Sequence, residues 1–188
     1  LISVDKILDI NDVQACYIIL SNSTSNANNV WIMFSYQCAA RAVEKFRIEL
    51  ANLVRHKEVD EAEYFNLYSS DGIISKQIGL AHKYIKNGPS EKLLDEIRDF
   101  RHIDAFGKKL PGLKQSADEL SLALSFLFDR CFPDSTARCS AEAIRLLGYS
   151  KDIFHSYSEY YEHHTSYRYK EWLKELHWQK ELLSSLLD

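Results

Sequence analysis

His155, Glu159 and His163 stand at i, i+4 and i+8. On a helix that spacing lines two imidazoles and a carboxylate along one face, a donor set suited to a divalent transition metal. Neighbouring members can share an ion, but the first and last lie about 12 Å apart along the axis. One helix therefore supplies two ligands at most. The others would come from elsewhere in the chain, from residues such as His56, His102 or Glu119. No HExxH, ExxH pair or Cys-His spacing specifies them. The plainer reading is a solvated face with histidine–carboxylate i,i+4 pairs, and no cofactor is expected.

The stretch Arg98-Asp99-Phe100-Arg101-His102 brings two guanidinium groups and an imidazole to the end of a helix. An arginine closely followed by a histidine in a helical chain resembles the HEPN ribonucleases, whose motif is an arginine, four to six residues, then a histidine. The resemblance is confined to this stretch. Only three residues separate Arg98 from His102, and Phe106 stands where a histidine would complete the spacing from Arg101. It implies an RNA-cleaving enzyme or toxin acting across a dimer interface, with Arg98, Arg101 and His102 as catalytic residues. The competing reading is a helix C-terminus whose cations offset the dipole.

Aromatic and basic residues crowd the C-terminal segment. Tyr157, Tyr160, Tyr161, Tyr167, Tyr169, Trp172 and Trp178 alternate with Arg168, Lys170, Lys174 and Lys180. Such a mixture suits stacking on single-stranded bases, and equally suits a protein–protein hot spot. One stripe, through Tyr169, Trp172, Leu176, Leu183 and Leu187, can face a core. Trp178 lies about 240° from Trp172 around an ideal helix, so it is expected at least partly exposed or in an interface between chains. Tyr167, Arg168, Lys174 and Trp178 are the candidate partner-binding residues. The leading expectation is a non-enzymatic interaction protein of regulatory, antitoxin or immunity type. It would bind a protein partner, with a homodimer as one form and RNA only under the ribonuclease reading.

Other chemistries lack their residues. There is no GxSxG, and six scattered glycines form neither GxGxxG nor a Walker loop. Cys16, Cys38, Cys131 and Cys139 contain no CxxC pair. Four scattered cysteines in a chain of this size predict reduced thiols and a cytoplasmic location. No basic segment followed by an apolar one marks a signal peptide in the first residues. No run of about 18 apolar residues predicts a membrane span, so no membrane partner is expected. Net charge is −4, with 27 acidic and 23 basic residues, which disfavours nucleic-acid binding driven by overall charge but leaves room for a local basic patch.

The elements that must position these residues are helices. In 188 residues there are only six glycines and three prolines, and no valine follows Val59. Few breakers and few β-branched residues predict an all-α, single-domain bundle of seven or eight mostly antiparallel helices spanning 1–188. Residues 21–29 (SNSTSNANN) read as a flexible loop, and 150–188 as the C-terminal aromatic helical region. The clearest helix is Trp31–Arg55, with Ile32, Tyr36, Ala39, Val43, Phe46, Leu50 and Leu53 on one stripe and Gln37, Arg41, Lys45 and Asn52 opposite. Leu113–Cys131 carries a second stripe through Leu113, Ala117, Leu120, Leu124, Leu127 and Cys131. Asp60 and Ser90 are predicted N-caps and Gly88 a C-cap. A turn over 133–136 should precede a helix from Ala137 to Leu147.

Overall fold

The computed structural model describes residues 27–88, 90–98, 110–127, 133–147 and 167–187. Among these residues there are only helices: α1 (Ala27–Arg55), α2 (Glu61–Tyr68), α3 (Ile73–Asn87), α4 (Glu91–Arg98), α5 (Pro111–Phe126), α6 (Pro133–Leu147) and α7 (Tyr167–Leu187). The all-α bundle follows from the periodicity that the sequence displays. None of these helices is long and apolar enough to cross a membrane.

Local chemistry sets several boundaries. The Asp60 carboxylate accepts from the Ala62 amide at 2.9 Å, and the Ser90 hydroxyl from the Leu93 amide at 3.2 Å, as their N-cap assignments require. Gly88 closes α3 with φ 78 and ψ 176, backbone that side chains disfavour. Gly72 starts α3 for a steric reason: a Cβ there would stand 2.4 Å from the Leu67 carbonyl. Two predicted breaks are helical instead. Residues 27–29 of the expected loop begin α1, and Pro133 to Thr136 form the first turn of α6. Pro133 fits there because the first-turn amides have no intrahelical acceptor to lose. The second stripe helix ends earlier than expected, at Phe126.

α6 lies against α1, α5 and α7, and together with α1, which touches five helices, it forms the hub. Ala137, Cys139, Ser140, Ala141 and Ala143 are buried on it, and small side chains allow three neighbours to approach closely. The Ser116 hydroxyl donates to the Ala143 carbonyl at 2.8 Å, tying α5 to α6. The main core joins Phe46, Leu50 and Leu53 of α1 to Leu113, Leu120 and Leu124 of α5. The pair α2–α3 packs on α1 and brings Leu67, Ile74 and Ala81 into the same core, and α4 packs on α3 through Leu93 and Tyr84.

Candidate functional site

α7 docks through a line of residues that its hydrophobic stripe does not announce. The fully buried positions are Glu175, Gln179 and Leu183, each one turn after the last. Leu176 and Trp172, expected on the core stripe, are half-buried. Leu183 enters a second cluster with Trp31, Phe34, Cys38 and Ala137, while Glu175 meets Arg41 and Lys45. The two pairings run in opposite directions along α1, so α7 is antiparallel to it.

Glu175 brings a carboxylate where water cannot reach. Arg41 Nε donates to its Oε2 at 2.9 Å, and Lys45 Nζ lies 3.5 Å from the same oxygen. Glu175 Oε1 has no hydrogen-bond partner. Gln179 Nε2 donates to the Ala137 carbonyl at 2.9 Å, fixing α7 against α6. Cys38 lies beside this group. Burial, then the Glu175 charge, pushes its thiol well above the usual range, while Arg41 opposes the shift.

Arg41 also stacks on Trp178, its guanidinium carbon 4.3 Å from the ring centroid. That distance is within cation–π range. Trp178 is half-buried and packs against the cluster around Leu183 in its own chain. It sits where the buried face of α7 turns toward solvent. The solvent face beside it carries Leu173, Lys174, His177 and Glu181. Leu173 is 43% exposed, one of three large exposed apolar side chains among the described residues. His177 Nε2 and Glu181 Oε1 are 3.3 Å apart on that face.

Of the candidate partner-binding residues, the structure thus places Lys174 in solvent and Trp178 at the edge. Tyr167 and Arg168 begin α7, and their side chains lie outside the described residues. Arg98 ends α4, its side chain likewise outside them, and Arg101 and His102 fall beyond the described residues altogether. So do His155, Glu159 and His163. Among the described residues no three His, Cys, Asp or Glu side chains are grouped to hold a metal ion. Sequence reasoning placed Arg41 and Lys45 on the outward face of α1 and passed over Glu175. The only advance signal was the i, i+4, i+8 line of Glu175, Gln179 and Leu183.

A second set of ionisable groups joins α5 and α6. Burial is the main cause of a raised Glu119 carboxyl, with Cys139 hydrogen-bonded to it. Burial and Glu119 together push the Cys139 thiol up to about 12. Neither Cys38 nor Cys139 has the depressed pKa that a nucleophilic thiol requires. No family model, curated protein or solved structure matches the chain.

Proposed function

We propose that this chain is a non-enzymatic protein-interaction module that engages a protein partner through the solvent face of α7. The observation that carries the reading is the exposed Leu173 beside Lys174, on a helix held in one register whose Arg41-stacked Trp178 edge lies about 140° further round. Apolar and aromatic surface within a polar rim is the composition of a binding hot spot. The buried anchors Glu175 and Gln179 fix α7 before any partner arrives, and such preorganisation lowers the entropy lost on binding. Lys174, His177 and Glu181 give the patch a polar rim of mixed charge, so the partner would present an apolar side chain within a polar surround.

The test is site-specific photo-cross-linking from position 177, in the cells that make the protein, with Asn66 on α2 as a control position. The reading predicts a discrete protein adduct from position 177, lost in Leu173→Glu and absent from position 66. An adduct with a second copy of the chain would identify the partner as itself. Equal, diffuse labelling from both positions would overturn the reading.

A further inference from the structure

A cleft of about 500 Å³ opens between α3 and α4. Its volume is in the range of small-molecule sites. Three features distinguish it from a surface dent.

The first is Gly79, in the middle of α3. Gly72 and Gly88 have a steric or a conformational reason to be glycine, but Gly79 has neither: its φ is not positive, and a Cβ there would meet nothing within 4 Å. A mid-helix glycine costs roughly 0.5–1 kcal/mol relative to alanine. The space its missing side chain leaves is the cleft itself, where bare backbone is open to a flat group.

The second is charge. α3 holds Lys76, Lys83 and Lys86 and no acidic residue, in a chain of net charge −4. Lys76 and Lys83 line the cleft two turns apart, about 10 Å along the axis, with Gly79 and Leu80 between them on the same face. Neither lysine forms an ion pair among the described residues. Their flexible stems let both ammonium groups reach one anion lying over Gly79.

The third is the opposite wall. Glu96 of α4 lines the cleft, its Oε1 3.9 Å from Lys92 Nζ in an exposed pair that leaves the other oxygen to accept. Ser70 adds a hydroxyl at the near end, while the Ser75 hydroxyl is already committed to the Tyr68 carbonyl at 3.1 Å.

We propose that this cleft binds a small phosphate monoester. The phosphate bridges Lys76 and Lys83, the organic part lies on the Gly79 backbone and Leu80, and a hydroxyl or amine donates to Glu96. The inference is independent of the partner-binding face on α7.

The experiment is isothermal titration calorimetry on the full chain with adenosine monophosphate, with inorganic phosphate and adenosine titrated separately. Saturable binding is expected for the monophosphate, weaker binding for phosphate and the weakest for adenosine. Lys76→Gln with Lys83→Gln should weaken monophosphate binding by about tenfold or more. Gly79→Leu should block the cleft while keeping the melting temperature at or above that of the parent, which separates lost binding from lost folding. No saturable monophosphate binding, or binding unchanged in the double lysine variant, would overturn the proposal. Lysine-dependent binding of an RNA oligomer but not of the monophosphate would also overturn it, in favour of a nucleic-acid surface.

Discussion

Arg41 Nε lies 2.9 Å from Glu175 Oε2, joining α1 to α7 across 134 residues of chain. The carboxylate is fully enclosed, whereas the Arg41 side chain is about one-third exposed. A buried charge stripped of its partner is far more costly than a surface pair, about 3–5 kcal/mol against a median of about 0–1. Arg41→Met should therefore destabilise the protein by about 2–4 kcal/mol, with Lys45 retaining part of the interaction. Adding Glu175→Leu should restore most of that loss, because two apolar side chains then replace the ion pair. Urea denaturation of both single variants and the double variant gives the coupling. A loss below about 0.5 kcal/mol for Arg41→Met would show that the pair does not hold α7 in place.

The core offers a contrast between large and small residues. Phe46 and Leu124 are fully buried in one cluster, and truncation to alanine should cost about 2–5 kcal/mol at either site. Ala143 is buried too, on the helix that three others surround. Ala143→Leu should destabilise by about 1–3 kcal/mol through overpacking. A stabilising Ala143→Leu would mean that α6 has room, against its role in the hub.

The stripe of α5 was legible in the sequence, since Leu113, Ala117, Leu120, Leu124 and Leu127 are all buried, but Ser116, Ser121 and Ala123 are buried beside it and Cys131 lies outside the described residues. α1 was half legible. Ala39, Phe46, Leu50 and Leu53 lie on the expected stripe, but Trp31, Phe34, Cys38 and Ala42 are buried as well, and Ile32, Tyr36 and Val43 only partly. A helix with neighbours on several sides has no single stripe to read. α6 was undervalued because alanine, serine and cysteine contribute little to a hydrophobic pattern, although they permit the closest approach. On α3, Gln77 and Tyr84, which an apolar pattern does not mark, are buried with Ile74 and Ala81. The Arg41–Glu175 pairing was not legible at all, since no local pattern encodes a contact so distant in sequence.

Trp178 and Leu173 lie on the same helix but should respond differently to truncation. Trp178 packs into the cluster with Leu183 and carries Arg41 on its ring, so Trp178→Ala should cost about 1–3 kcal/mol. Leu173 is largely in solvent, and Leu173→Ala should change stability by less than about 0.5 kcal/mol. Thermal melts of the two variants decide this. Equal losses would mean that Leu173 is part of the core, and the α7 face would then lack its exposed apolar centre.

Glu119 makes stability depend on pH in an unusual direction for a carboxylate. Burial raises its folded-state pKa above the unfolded value, so the folded chain holds the proton more tightly. Its favourable contribution is complete below the unfolded pKa, about 4.3, and is lost as the pH rises through the folded value. Glu119→Gln keeps an acceptor for Cys139 but cannot ionise. The variant should match the parent near about pH 4 and melt higher near about pH 7. A variant that melts lower at neutral pH would show that the Glu119 charge is stabilised by Arg138 and Arg145 more than burial opposes it.

Cys38 and Cys139 are both free and buried, and their thiols share a cause of inertness. Each is pushed up first by burial and then by a neighbouring carboxylate, Glu175 for Cys38 and Glu119 for Cys139. The attacking species in alkylation is the thiolate, so a raised pKa and lost access slow the reaction together. In the folded protein near about pH 8, iodoacetamide should leave both residues unmodified, and both should label fully in denaturant without reductant. Peptide mass spectrometry distinguishes the two sites. Because Cys38 lies between α1 and α7, loosening the Arg41–Glu175 pair should expose it first. Arg41→Met is therefore expected to accelerate labelling of Cys38 and leave that of Cys139 unchanged, as local opening of α7 requires. Equal acceleration at both cysteines would mean that the helices open together, and that α7 is not separately held by its buried carboxylate.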